Sequence, residues 1–395
     1  MLNTNTVTVP LPQGFSAFVT NVGVKDDTDD FTVVASNSLA AASGVFTQSR
    51  FAGPSVVVSR EHLSSLSARA VVVISKNANV ATGATGLAHA REITAKVAER
   101  LECNAEDVLI ASTGVIGRLY PIDNIRRGIS TIAQPLPHSD AELVAKGIMT
   151  TDTVHKVASS GVAGSDAQIV GVAKGVGMIE PNMATLISLV FTDADIDSKN
   201  LDAIFRRVID KTLNCVSIDT DTSTSDTAII MASGQVANVN LDHFENALTE
   251  VLTSLTKQIA RDGEGAEKLI EVRVDHARDD VQAKRVAKAI VNSPLVKTAI
   301  HGADPNWGRV AMAVGKCESD TDIDQEKVVI RFGTQEVYPA QVDARGLDEL
   351  STYMHGDTVV IHVSLNVSPR STGQATVWGC DLTDGYIRIN ADYTT

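Results

Sequence analysis

Aromatic residues are scarce in this chain, at 4% of 395 positions. Its core must therefore be built mostly from Val, Ile, Leu and Ala. Cysteine is scarcer still: Cys103, Cys215, Cys317 and Cys380 are far apart and form no CxxC pair. That excludes a disulfide framework or a thiolate zinc site and fits free thiols in a reducing cytoplasm. Positive charge is in deficit, with a net charge of −14. An acidic chain offers no broad basic face to a nucleic acid or an anionic membrane. No apolar run approaches the ~18 residues of a membrane span. The opening "MLNTNTVTVPLPQGFSAF" lacks the basic and apolar regions of a signal peptide. The expectation is a cytoplasmic protein with neither membrane nor nucleic acid as partner.

Several site motifs are missing too. No GxSxG elbow occurs, so His301 and Asp304 in "HGADPNWG" read as a loop bonding its own backbone. Gly171, Lys174, Gly175 and Gly177 are not in P-loop order, and Glu180 stands where GxGxxG needs a small residue. Asp219, Asp221 and Ser223 open a calcium-loop register that fails at Thr224 and Ile230. Asp320, Asp322 and Asp324 fail likewise. Both segments read as turns with Asx and Ser/Thr hydrogen bonds.

The length suffices for two or three domains or one large layered unit. β-rich runs come early: "FTVVAS" (31–36), "PSVVVS" (54–59), "RAVVVIS" (69–75) and "EDVLIAST" (106–113). A helix is expected at 87–101. Leu201, Ile204, Phe205, Val208, Ile209 and Leu213 fall on one helical face, as do Leu241, Phe244, Leu248, Val251, Leu252, Leu255 and Ile259. A helix near 279–291 precedes the apolar runs "RVAMAVG", "EKVVIRFG" and "DTVVIHVSLNV". Strands and helices mix without a regular βαβ beat, which predicts α+β layers.

The unusual position is Thr185, in "GVGMIEPNMATLISLVFTDA" (175–194). It follows Ala184 where a glycine- and proline-bearing loop enters an apolar strand. A threonine heading a strand is ordinarily structural. If the Ala184–Thr185 bond is cut, however, Thr185 gains a free α-amine beside its hydroxyl. With a reference pKa near 7.7–8.0 that amine can serve as base to its own nucleophile. The hydroxyl could make the cut itself, through an N-to-O acyl shift and hydrolysis of the ester.

"KGVGMIEPNMATLISLVFTDA" resembles the processing segment of the ornithine acetyltransferase (glutamate N-acetyltransferase) family. "IASTGVIGR" (110–118), "IMTTDT" (148–153), "SIDTDTSTSDT" (217–227), "DGEGA" (262–266), residues 290–310 and the terminal "YIRINADYTT" resemble family segments in family order. The stretch "VVVISKNANVATG" departs from the commoner "VVNSGNANACTG". With "FAGPSVVVSR" it is similar to members found with clavulanic acid biosynthesis.

The resemblance implies layered α+β sheets and helices in two chains, 1–184 and 185–395, paired as a heterotetramer of two each. It implies acetyl transfer from N-acetylornithine to glutamate through an ester on Thr185. It makes Thr113 and Gly114 the oxyanion donors. Lys174 is the cation for a substrate carboxylate and Glu264 the anion for an ammonium. Thr150 or Thr151, Asn390 and Thr395 are further substrate contacts. No metal or organic cofactor is required, since nucleophile, base and oxyanion donors are all protein groups. The tail alternation Tyr386, Ile387, Arg388, Ile389 is consistent with a strand. An amidohydrolase or aminopeptidase using the same threonine, with water as acceptor, is the alternative. A non-catalytic binding protein would need a damaged Thr185, Thr113 or Gly114, and all three are intact.

Overall fold

The computed structural model describes residues 8–180 and 186–392. Thr185, Ala184 and Thr395 lie outside them. Fourteen strands and eleven helices are found among the described residues. The first half holds β1 (Phe15–Thr20), β2 (Phe31–Phe46), β3 (Ser67–Ile74), β4 (Val108–Ser112), β5 (Lys156–Gly161) and β6 (Gln168–Lys174). Its helices are α1 (Pro54–His62), α2 (Gly83–Leu101), α3 (Ile122–Ser130) and α4 (Ala141–Gly147). The second half holds β7 (Ile187–Ala194), β8 (Val216–Ser217), β9 (Thr227–Val236), β10 (Leu269–Ala277), β11 (Val329–Phe332), β12 (Gln335–Tyr338), β13 (Thr358–Ser364) and β14 (Gly373–Cys380). Its helices are α5 (Ser198–Lys211), α6 (Leu241–Arg261), α7 (Asp280–Val291), α8 (Pro294–His301), α9 (Trp307–Gly315), α10 (Ala344–Met354) and α11 (Asp384–Asp392).

One sheet runs β4-β3-β2-β9-β7-β6-β5, with β1 paired to β2; the other runs β12-β11-β13-β10-β14-β8. The first sheet crosses from one half of the chain to the other twice. β2 pairs antiparallel with β9, and β6 pairs antiparallel with β7. α6 lies between the sheets, touching β5 and β6 on one side and β10 and β14 on the other. α7 covers the far face of the second sheet, and α4 the far face of the first.

Periodicity explains most of this. Leu201, Ile204, Phe205, Val208 and Ile209 of α5 are all buried, and Asp197 caps the helix by accepting from Lys199 and Asn200 N–H groups. β7 is buried along its whole length. Val190 joins the core between the sheets, whereas Leu189 and Phe191 join the core beneath α4. That two-sided burial matches its uninterrupted apolar run.

Two readings are corrected, and one apolar run is assigned. "PSVVVS" is helix α1, not strand: Pro54 occupies its first turn, where the missing N–H costs nothing. Ser59 then ties the helix to β4, donating to Ile110 O and accepting from Ile110 N, each at 2.7 Å. "RVAMAVG" lies in helix α9. "GYIRIN" is in helix α11, where Arg388 pairs with Asp384 one turn back at 2.6 Å. Ile387 and Ile389 are exposed there, so their alternation marks no buried sheet face.

Candidate active site

Seven segments meet at one end of the first sheet. The end of β6 brings Lys174 beside Ile187 at the start of β7. Thr227 of β9 pairs with the same Ile187, so the loop before β9 arrives there as well. The turn after β4, the loop after α4, the loop after α6 and α11 supply further lining residues. The resulting cavity is lined by Thr113, Gly114, Thr150, Thr151, Lys174 and Glu264, with Asn390 at its edge. Leu186, the first described residue after Thr185, also lines it.

Thr113 and Gly114 form a turn that needs glycine. Gly114 has φ +129°, and an added Cβ would lie 2.2 Å from the Lys76 carbonyl carbon. The neighbouring N–H groups are engaged: Thr113 donates to Ile74 O at 3.2 Å and Val115 to Lys76 O at 3.3 Å. The Gly114 N–H and the Thr113 hydroxyl make no hydrogen bond among the described residues.

Lys174 is buried, and its ammonium makes no hydrogen bond or ion pair among the described residues. Burial pushes its ammonium below the ordinary lysine range, against the opposing attraction of Asp152 and Glu264. Asp152 is buried also, which alone would raise its carboxyl; the charges of Lys174 and Lys156 outweigh that and hold it low. Asp152 accepts from Gly175 N at 2.7 Å, from Thr150 N at 3.1 Å and from Lys156 Nζ at 2.8 Å. Lys156, with no exposed side-chain surface, also reaches Asp262 at 2.5 Å. Asp262 accepts in turn from the Thr153 N–H and hydroxyl. One buried network thus fixes the threonine loop, the end of β6 and the end of α6.

Glu264 follows that helix end. Its N–H donates to Val176 O at 2.8 Å, and its Oε2 accepts from Asn390 Nδ2 at 2.9 Å. Burial pushes its carboxyl up, opposed by the Asn390 amide and reinforced by Asp219. Gly265, with φ +69°, lets α11 dock: an added Cβ would lie 2.4 Å from Tyr386 N. Both Thr150 and Thr151 line the cavity, so the geometry does not choose between them.

Residues outside the expected set also gather here. Ser223, Thr224, Ser225 and Asp226 line the cavity, although their segment reads as turns. It does contain an Asx turn, Asp221 N to Asp219 at 3.3 Å. Asp219 does more, however, accepting from Met178 N at 2.6 Å and Ile179 N at 2.7 Å. It thereby holds the loop that approaches the 181–185 segment. His301, by contrast, lies away from the cavity and pairs with Asp381 at 3.1 Å. Asp304 accepts from Asn306 Nδ2 at 3.2 Å, a contact between side chains and not the expected bond to backbone, and His301 is the last residue of α8.

Fold and site together define an α+β enzyme with a charged cavity for a small molecule. The ArgJ family matches residues 16–395, and the chain belongs to that family. It is 57% identical over 384 residues to "Arginine biosynthesis bifunctional protein ArgJ 2" of Nostoc sp., covering 97% of this chain and 98% of that one. It is 54% identical over 390 residues to "Glutamate N-acetyltransferase Oat2" of Streptomyces clavuligerus, again covering 97% and 98%. Among solved structures, an arginine biosynthesis bifunctional protein ArgJ from Bacillus halodurans matches at 41% identity, with a TM-score of 0.47. That match covers 51% of this chain and 96% of the other. No helix among the described residues is long and apolar enough to cross a membrane.

Proposed function

We propose that the protein is a glutamate N-acetyltransferase of arginine biosynthesis, moving the acetyl group of N2-acetyl-L-ornithine to L-glutamate. The observation that carries the reading is the cavity's charge layout. Lys174, whose ammonium makes no hydrogen bond or ion pair among the described residues, and the Glu264 carboxyl flank a turn whose Gly114 N–H and Thr113 hydroxyl are likewise unengaged among those residues. An amino acid needs such a cation for its carboxylate and such an anion for an ammonium. Thr150 or Thr151, Asn390 and Thr395 complete the substrate contacts in this reading.

Cleavage of the Ala184–Thr185 bond gives chains 1–184 and 185–395. The Thr185 hydroxyl then attacks the acetyl carbonyl while its own α-amine takes the proton. The oxyanion is met by the Gly114 N–H and the Thr113 hydroxyl. Collapse breaks the C–N bond, ornithine leaves with the proton, and the acetyl group stays as an ester on Thr185. The glutamate amine attacks that ester through a second oxyanion. N-acetylglutamate leaves and the hydroxyl is restored. Two copies of each chain form the working assembly, and its free thiols fit the cytoplasm.

The test is intact mass after mixing with N-acetylornithine alone. An acetyl increment on the 185–395 fragment, discharged by glutamate, is expected. Acetate release at the same rate with or without glutamate would identify a hydrolase instead. No increment, with intersecting double-reciprocal plots, would rule out the ester.

A further inference from the structure

Lys76 adopts φ +72°, a left-handed backbone that a side-chain-bearing residue rarely holds. It stands directly behind the candidate oxyanion turn. Its carbonyl carbon and Cα are the atoms an added Cβ on Gly114 would strike, at 2.2 and 2.5 Å. Its carbonyl oxygen accepts from Val115 N, and the next residue, Asn77, forms a parallel bridge with Val115. The position of the Gly114 N–H is therefore set by the backbone of Lys76.

That backbone has a tether. The Lys76 side chain is almost wholly buried, and Nζ donates to Asp26 Oδ1 at 2.6 Å, to Thr28 O at 3.1 Å and to the Thr28 hydroxyl. The 21–30 loop is itself braced. Asp30 accepts from Val22 N and Val24 N, each at 2.7 Å, and Thr28 caps Asp26 through its N–H and hydroxyl at 2.9 and 2.6 Å. Asp30 O also accepts from Ser75 N, beside Lys76. A strained conformation persists only where its surroundings over-determine it, and such positions cluster at functional sites.

We infer that Lys76 is a positioning residue for acetyl transfer: its ion pair with Asp26 holds the left-handed backbone against which Gly114 aims its N–H. The inference rests on reading the Thr113–Gly114 turn as the oxyanion site. Lys76 itself does not line the cavity and touches no substrate.

Two variants separate a positioning role from a merely structural one, each assayed on fully cleaved enzyme. Lys76→Ala keeps a Cβ at the strained φ but loses the tether, so the backbone relaxes and carries Gly114 with it. kcat should fall about tenfold or more, with KM for N-acetylornithine within about twofold of the parent. Lys76→Gly loses tether and strain together, because glycine occupies positive φ freely. Its kcat should return to within about threefold of the parent, whatever its thermal stability. Asp26→Asn, which weakens the tether from the loop side, replaces Lys76→Ala if that variant does not fold. An unchanged kcat in Lys76→Ala or Asp26→Asn, or an equal loss in the alanine and glycine variants, overturns the inference. Thr113→Val is run in parallel. If it too leaves kcat unchanged, the oxyanion reading itself is wrong; if it lowers kcat while Lys76→Ala does not, only the role of Lys76 falls.

Discussion

The Asn390 amide donates to Glu264 Oε2 at 2.9 Å, joining the last helix of the chain to the loop after α6. Burial raises the Glu264 carboxyl, and this bond works against that rise; Lys174 assists it, whereas Asp219 and Asp152 oppose it. Ionised Glu264 is the form that attracts an ammonium.

Asn390→Ala should therefore push the Glu264 carboxyl further up. In the proposed reading binding needs the ionised form, so activity should be lost as pH falls through the folded value. The acid limb of kcat/KM for N-acetylornithine should move to higher pH, and KM at neutral pH should rise about tenfold, the worth of one charge-assisted bond. A superimposable pH profile would show that the contact does not tune Glu264. Deleting residues 391–395 should raise KM while leaving self-cleavage intact; identical kinetics would show that these residues make no substrate contact.

Thr113→Val removes one of the two proposed oxyanion donors and keeps the branched shape. The chemical rate should fall roughly 10²–10³-fold with little change in donor KM. Processing is checked first by gel, since the same turn could serve the cleavage step. A cleaved Thr113→Val enzyme with the parental single-turnover rate would remove Thr113 from the site.

Lys156 sits between Asp152 and Asp262 with no exposed side-chain surface. Lys156→Met leaves two buried carboxylates facing each other without their cation. Removing one partner of a buried pair costs about 3–5 kcal/mol. The urea midpoint should drop accordingly, and a loss under about 1 kcal/mol would mean that water or another group replaces the cation. The pH dependence follows from the Asp152 carboxyl, which is held low in the folded protein. Its contribution is present above the unfolded value near 3.9 and lost as pH falls through the folded one. Without Lys156 the acid-unfolding midpoint should therefore move up in pH.

This network also marks where the sequence stops being legible. Asp152 and Lys156 are four apart, a spacing that reads as a surface pair, and lone Lys and Asp default to solvent. Nothing local says that Asp262, 106 residues on from Lys156, completes the set. Lys76 did leave a mark, though not in its own residue type: it stands where the commoner "SGNAN" has glycine, the residue that a positive φ favours. The long helices were legible, since an apolar stripe at period 3.6 needs only local information. So were β3, with its buried Val71, Val72, Val73 and Ile74, and the start of β2 at 31–36; the rest of β2, rich in Ala and Ser and exposed at 37–39, was not. Short apolar runs were the weak point: 54–59, 309–315 and 386–389 all alternate or cluster as strands do, yet form helices. At 54–59 the Gly53-Pro54 start decided the outcome. The site residues span positions 113 to 390 and became a set through family resemblance, not through spacing.

Self-cleavage is the remaining prediction, and the sheet pairing bears on it. Ala184 and Thr185 lie just before β7, and the strands on either side belong to opposite halves of the chain: β6 pairs with β7, and β2 with β9. The core between the sheets likewise mixes Val45, Ile169 and Ala173 with Val190, Ile230 and Leu255. Neither half can bury its apolar surface alone, so a cut at 184/185 should leave one folded body. Active protein should run as two bands under denaturing conditions and as one species by native sizing, with Thr at the second N-terminus. Thr185→Ser retains a hydroxyl and should still be cut. Thr185→Ala should remain a single inactive chain. A single full-length band from active enzyme would end the proposal that the nucleophile is an N-terminal threonine, whatever the acetyl chemistry proved to be.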